Sequence, residues 1–315
     1  MSGDPESAGR SAPPRAVTAA GHCVIGAKHL RDGRPCQDAL QITQRDELVV
    51  VAIADGHGSS LHAEVGARLA VKVATEALLS FVENLSPGLR TDARAAHSFA
   101  QHPFRVQLVR EWVERVRTVA GSESVALKDY GSTLIFVAVT PELVVFGQLG
   151  DGDILVVDGL SGVHRPIPAD PTSFAEETLS LCLPEAWSGL RVLVTPLPER
   201  ETLILISTDG YSKSYASDRD FDEIGPDYLS MVRELGLSGV QTHLDEFLST
   251  VTREGSGDDV TLGLIYVPGP SPACPEETAA APDASVEAVA DGGDSEMTLM
   301  TPEGAETPQL PGEQP

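Results

Sequence analysis

The run Leu48-Val49-Val50-Val51-Ala52-Ile53-Ala54 passes directly into Asp55-Gly56-His57-Gly58, and this junction decides how the chain folds. The apolar run is far shorter than the roughly 20 residues of a membrane-spanning helix. Its β-branched residues and lack of alternation predict a strand covered on both faces. A carboxylate is then exposed at the end of a buried strand. The same device recurs where Leu203 to Ser207 leads into Thr208-Asp209-Gly210, and where Leu143 to Leu149 leads into Gly150-Asp151-Gly152-Asp153. Asp258, in Gly257-Asp258-Asp259-Val260-Thr261, opens an apolar run instead of closing one. Singly, each Asp-Gly is common turn chemistry. Together, strands that end and begin at such residues can bring the carboxylates to one sheet edge. Oxygen donors gathered there suit a hard divalent cation such as Mg²⁺ or Mn²⁺.

Outward from this junction, strands are predicted over Ala16 to Gly26, Ala39 to Thr43, Leu48 to Ala54, Ser132 to Val139, Leu143 to Leu149, Ile154 to Asp158, Arg191 to Thr195, Leu203 to Ser207 and Val260 to Val267. Leu61 to Leu85 is rich in Ala, free of Pro and stopped by Ser86-Pro87-Gly88, so it reads as a helix. A second helix is expected to turn Val106, Val109, Val113 and Val116 inward, and two more are expected over Tyr228 to Leu235 and Leu244 to Val251. The order lacks the regular alternation of a doubly wound parallel sheet. Tight turns such as Thr140-Pro141-Glu142 favour antiparallel hairpins. The expected fold is α+β: a four-layer α-β-β-α sandwich, two antiparallel sheets face to face with helices on both outer faces.

Composition narrows the function. The 315 residues carry a formal charge of −25, which argues against nucleic-acid binding, because phosphate backbones select clustered Lys and Arg. No apolar stretch has membrane-span length, the N-terminus lacks the features of a secretory signal, and the four cysteines show no metal or disulfide rhythm. A soluble cytoplasmic monomer without membrane contact is the expectation. Residues 268–315 contain no Lys or Arg and are rich in Pro, Ala and acidic residues, so a disordered acidic tail is expected there, with a disordered arm over 1–15. One folded domain is expected over 16–267. Thr301-Pro302 and Thr307-Pro308 are candidate phosphorylation sites for a partner Ser/Thr kinase.

The motifs in their order resemble the metal-dependent Ser/Thr protein phosphatases of the protein phosphatase 2C class, in a bacterial form. The resemblance covers roughly Thr18 to Val267. It rests on Gln37-Asp38-Ala39, Asp55-Gly56-His57-Gly58, Gly131-Ser132-Thr133, Gly150-Asp151, Thr208-Asp209-Gly210 and Asp258-Asp259-Val260-Thr261. It implies hydrolysis of phosphoserine and phosphothreonine in protein substrates within bacterial Ser/Thr kinase signalling. It also implies two bridged Mn²⁺ or Mg²⁺ ions, with Asp55 joining both, the Gly56 carbonyl on one, and Asp209 and Asp258 on the other. Asp38 would act nearby through water, and Asp151 with Asp209 would hold a third, looser ion. Hydroxide bridging the metals would attack phosphorus directly, and His57 would be the general acid for the leaving group. Asp258 is preferred over Asp259 because Asp259 takes the place of the family's Asn.

Three departures accompany the resemblance. Gly33 stands where eukaryotic relatives carry a phosphate-gripping Arg, leaving Arg34 or Arg31 for that role. Ser59 replaces the second glycine of the signature, and Gly152-Asp153 replaces a Ser-Arg pair. None removes a proposed metal ligand. The spacing around Asp151 excludes an EF-hand, since there is no Gly at the sixth loop position and no Glu at the twelfth. A cysteine-dependent phosphatase would lack its Cys-x5-Arg loop, and a haloacid-dehalogenase type would lack its Asp-x-Asp. The alternative from another class is a catalytically silent phosphoprotein-binding scaffold on the same fold, whose hallmark, loss of metal aspartates, is missing.

Overall fold

The computed structural model describes residues 15–160, 162–167 and 179–270. Apart from their innermost residues, the expected arm and acidic tail lie outside the described residues, as do Thr301 and Thr307. Among the described residues, ten strands form two antiparallel sheets. The first has the order β1 (Thr18–Val24), β10 (Val260–Val267), β9 (Thr202–Ser207), β6 (Asp153–Asp158), β7 (Gly162–His164). The second has the order β2 (Ala39–Arg45), β3 (Leu48–Ala54), β4 (Leu134–Val139), β5 (Leu143–Leu149), β8 (Arg191–Pro196).

The central strands are apolar on both faces because each face has its own layer to meet. Val49, Val51, Ile53, Ile135 and Val137 pack with Ile154, Ile204, Ile206 and Ile265 in a core between the sheets. The opposite face of the second sheet, with Val50, Ala52, Phe136 and Val145, packs beneath the helices Ala63–Asn84 and Arg105–Ala120. The long Ile224–Glu254 helix lies on the first sheet, against β1, β10 and β6. The sandwich expected from the sequence is therefore the fold, and continuous apolar strands are its signature.

The structure differs from expectation in several places. The helix Arg105–Ala120 buries Leu108, Val109, Trp112 and Val116, whereas Val106 is 37% exposed. The stripe is rotated because Trp112 anchors it, burying its ring and donating its indole N–H to the Gly66 carbonyl at 3.1 Å. The two late helices are longer than expected and meet at Gly236, whose φ of 70° and ψ of 161° break the helix without ending it. The short strand β7 and the Ala27–Asp32 helix were not foreseen, since neither has a period long enough to register. Ser132 and Thr133 do not belong to β4. They peel away to hold the strand end that carries Asp55.

Register explains why distant aspartates meet. Ala39 pairs with Ala54 in β2 and β3, so Asp38 and Asp55 flank the same sheet end. In the other sheet Ser207 pairs with both Asp153 and Leu262, placing the start of β6, the end of β9 and the start of β10 side by side. Antiparallel pairing makes a strand's end and its neighbour's start adjacent, and one end of the sandwich collects all the carboxylates.

Candidate active site

Asp55, Asp151, Asp209 and Asp258 line one cleft of about 370 Å³, together with Gly56, His57, Lys28, Arg34 and Lys213. The signature turn is fixed through its backbone. The Asp55 N–H donates to Thr133 Oγ1 at 2.9 Å, and the Thr133 N–H donates to the Asp55 carbonyl at 2.8 Å. The Gly56 N–H donates to the Gln37 carbonyl at 3.1 Å, tying the signature turn to the segment before Asp38. Gly56 is required for closeness: a Cβ there would lie 2.6 Å from the Ala63 carbonyl oxygen and 2.8 Å from that of Gln37. Gly210 likewise lies against the Asp259 carbonyl with no room for a side chain. Neither glycine has a positive φ, so both are required for close approach and not for backbone conformation, although Asp209-Gly210 also forms the centre of a turn closed by the Tyr211 N–H on the Thr208 carbonyl at 3.1 Å.

Asp38 lies buried beneath the cleft. Its Oδ2 accepts from the hydroxyls of Thr208 at 2.8 Å and Thr261 at 2.7 Å, whereas its Oδ1 is buried with no hydrogen-bond partner in the structure. Burial and the nearby charge of Asp55 push the Asp38 carboxyl well above the usual carboxylate range. Asp55 is raised by burial and then by Asp209 and Asp258. Asp151 is raised by burial and by Asp209, opposed by Lys213. So many carboxylates within mutual range strongly disfavour full ionisation unless positive charge is present.

Lys213 supplies some of it, bonding Asp209 Oδ2 and standing 3.8 Å from Asp151 Oδ2. Burial works against its ammonium, but Asp209, Asp151 and Asp55 together hold it above the usual lysine value. Among the described residues no three His, Cys, Asp or Glu side chains form a metal-binding group. The donor chemistry nevertheless fits hard divalent ions, because all the donors are oxygen, the charge is in excess, and Asp38 Oδ1 has an unmet bonding capacity.

Asp258 and Asp259 have opposite duties. Asp258 lines the cleft. Asp259 is buried, accepting the Gly26 N–H on Oδ1 at 2.5 Å and, on Oδ2, the Gln37 N–H at 2.6 Å, with His29 Nδ1 at 2.9 Å. His29 had no distinguishing context in the sequence and is nonetheless the residue that pairs with Asp259. The roles of Thr208, Thr261 and Thr133 were also missed, although all three stand inside the quoted motifs.

His57 lines the cleft and donates its backbone N–H to the Gly131 carbonyl at 3.0 Å. Burial lowers its pKa, opposed by Asp151 and Asp209, making it a stronger acid than free histidine. Arg34 reaches the same cleft, its Nη2 bonding the Gln37 amide oxygen at 3.1 Å and the Gly58 carbonyl at 2.9 Å. Arg31 is exposed and does not line the cleft. His62 begins the Ala63–Asn84 helix, where its ring meets Tyr130 and makes no capping bond. Asp153 is turned toward Arg165, whose Nη2 lies 3.0 Å away.

An antiparallel double sandwich with a ring of aspartates at one end defines a class, and comparison with known proteins assigns the chain to it. A family profile described as Protein phosphatase 2C matches residues 25–249, and the chain belongs to that family. Serine/threonine-protein phosphatase 3 of Escherichia coli (strain K12) is 26% identical over 254 residues, covering 76% of this chain and 94% of that protein. Among solved structures, the S. agalactiae serine/threonine phosphatase aligns with a TM-score of 0.54 at 16% identity, over 80% of this chain and 99% of its own. A bacterial serine phosphatase aligns with a TM-score of 0.52 at 17% identity, over 80% and 98% respectively. At these identities the structures support the fold alone.

Proposed function

We propose that this chain is a Mn²⁺- or Mg²⁺-dependent protein phosphatase acting on phosphoserine and phosphothreonine, working opposite a Ser/Thr kinase that supplies its substrates. The observation that carries the reading is the cleft itself: Asp55, Asp151, Asp209 and Asp258 on its wall, with the orphaned Asp38 Oδ1 beneath. Asp55 and the Gly56 carbonyl, with Asp209 and Asp258, would hold two ions, and Asp38 would act through water. When bound, such ions neutralise phosphate oxygens and lower the pKa of coordinated solvent toward neutrality. A third ion between Asp151 and Asp209 would compete with the Lys213 ammonium.

The remaining residues divide the other tasks. Arg34 stands at the cleft with its guanidinium near the signature turn, suited to orienting a dianionic phosphate. His57 would hold the proton that the departing serine or threonine oxygen requires. Thr208 and Thr261 orient Asp38, and Thr133 fixes the Asp55 backbone, so neither carboxylate needs to reorganise on binding.

Turnover of a phosphothreonine peptide with and without Mn²⁺ tests the proposal. Activity is expected to vanish with chelator and to fall at least ~100-fold in Asp55→Ala and Asp209→Ala, since each factor of ten is about 1.4 kcal/mol and metals supply several. Hydrolysis that persists in chelator, or in either variant, overturns it.

A further inference from the structure

Away from the cleft wall, two free thiols face each other. Cys23 and Cys36 hold their Sγ atoms 3.6 Å apart, although they sit on different elements. Cys23 belongs to β1, opposite Thr261 of β10. Cys36 lies between the Ala27–Asp32 helix and β2, two residues before Asp38. Cys23 and Cys36 are both only half-buried, so the pair is within reach of small solutes. The third free thiol among the described residues, Cys182, meets the Ser180 hydroxyl at 3.3 Å.

We propose that Cys23 and Cys36 form an oxidation site at which hydrogen peroxide makes a reversible disulfide. The half-buried Cys23 sulfur attacks one peroxide oxygen. The O–O bond breaks, one water leaves, and Cys23 becomes a sulfenic acid, oxidised by two electrons. The Cys36 sulfur then attacks the Cys23 sulfur, forming the S–S bond and breaking S–O, and the hydroxyl leaves as a second water with the Cys36 proton. Two thiols and one peroxide give one disulfide and two waters, and an added dithiol reverses the change.

A disulfide needs its sulfurs about 2.05 Å apart, so this pair must close by about 1.5 Å. β1 is pinned along its length to β10 from Thr18 to Val24, which leaves the movement to the Cys36 side. That segment carries the Gln37 N–H bonded to Asp259 and the Asp38 carboxylate bonded to Thr208 and Thr261. Oxidation is therefore coupled to the position of Asp38. This consequence, unlike the disulfide itself, rests on the metal-site reading given above.

Peptide mapping of the full chain after peroxide treatment and alkylation tests the site without reference to activity. The expected product joins the tryptic peptide 16–28 to the peptide 32–45, two hydrogens lighter than the separate pair, and disappears with dithiothreitol. In Cys36→Ser, Cys23 should instead be trapped as a sulfenic acid. Cys23 and Cys36 that both remain alkylatable, or a link from either to Cys182 or Cys274, overturn the proposal. Calorimetric Mn²⁺ titration tests the coupling. The disulfide form should bind at least ~10-fold more weakly, with recovery on reduction and no peroxide effect in the Cys23→Ser/Cys36→Ser variant. A disulfide that forms with Mn²⁺ affinity unchanged overturns the coupling.

Discussion

Asp259 Oδ2 and His29 Nδ1 lie 2.9 Å apart at the base of the site, their side chains only 3% and 10% exposed. Two distant parts of the chain are clamped there, because the same carboxylate also takes the backbone N–H groups of Gly26 and Gln37, which lie on either side of His29. Asp259→Ala should leave all three donors unmatched and cost roughly 3 kcal/mol or more, on the scale of 1–3 kcal/mol per buried unsatisfied group. Urea unfolding without metal measures it. Asp258→Ala, one residue away, should keep the stability of the metal-free protein and lose Mn²⁺ binding. Equal destabilisation by the two would erase the division of labour.

Crowding of carboxylates sets a pH dependence. The folded-state pKa of Asp55 is raised by burial and by Asp209 and Asp258, so the folded protein binds more protons than the unfolded chain between the ordinary Asp value and the raised one. Its contribution to stability is present below the unfolded pKa and is lost as pH rises through the folded pKa. Asp55→Asn should therefore stabilise the metal-free protein near pH 7, with the advantage shrinking on acidification. The difference in Tm between the two proteins across pH 4 to 8 is the check, and a constant difference would contradict it.

The His57 imidazole is held below its ordinary pKa by burial, so its protonated form is lost at lower pH than in free histidine. If it donates to the leaving group, kcat on a phosphothreonine peptide should fall as pH rises through that depressed value. His57→Ala should slow this substrate by ~10²-fold or more, within the range for general acids, and slow an aryl phosphate much less. Equal losses on the two substrates would exclude the acid role.

Arg34 reaches the cleft while Arg31 does not. Arg34→Ala should raise KM for the peptide about 10-fold with a smaller change in kcat, the pattern of lost ground-state binding. Arg31→Ala should alter neither, and steady-state kinetics of both variants decides between them.

Lys213, with its side chain 60% exposed, sets the protein's own cation against Asp209, with Asp151 close by. Lys213→Ala should remove the competitor and tighten a weak Mn²⁺ site, seen as an added binding phase in calorimetry. An unchanged isotherm would mean that the ammonium does not contend with an ion there.

Much of this molecule was legible in the chain. Continuous apolar runs such as Leu48–Ala54 signalled strands covered on both faces, and Asp55, Asp151, Asp209 and Asp258 stood out because each closes or opens such a run, whereas Asp38 was found only through the family resemblance. The errors arose where a residue's surroundings come from elsewhere. Val106 was assigned inward because a stripe of valines fits a helical period, but the position of Trp112 against Gly66 set the rotation.

Local pattern therefore determined the strands, their order and the identity of the acidic residues, since burial on two faces and strand termination are properties of a few neighbours. Only the tertiary structure decided that Asp259 and His29 form a buried clamp, that Gly56 and Gly210 serve close approach, and that Cys23 meets Cys36. Those outcomes depend on how separate elements pack, which juxtaposes side chains up to 230 positions apart, and even Cys23 and Cys36, 13 positions apart, meet only because β1 and the segment before β2 lie together.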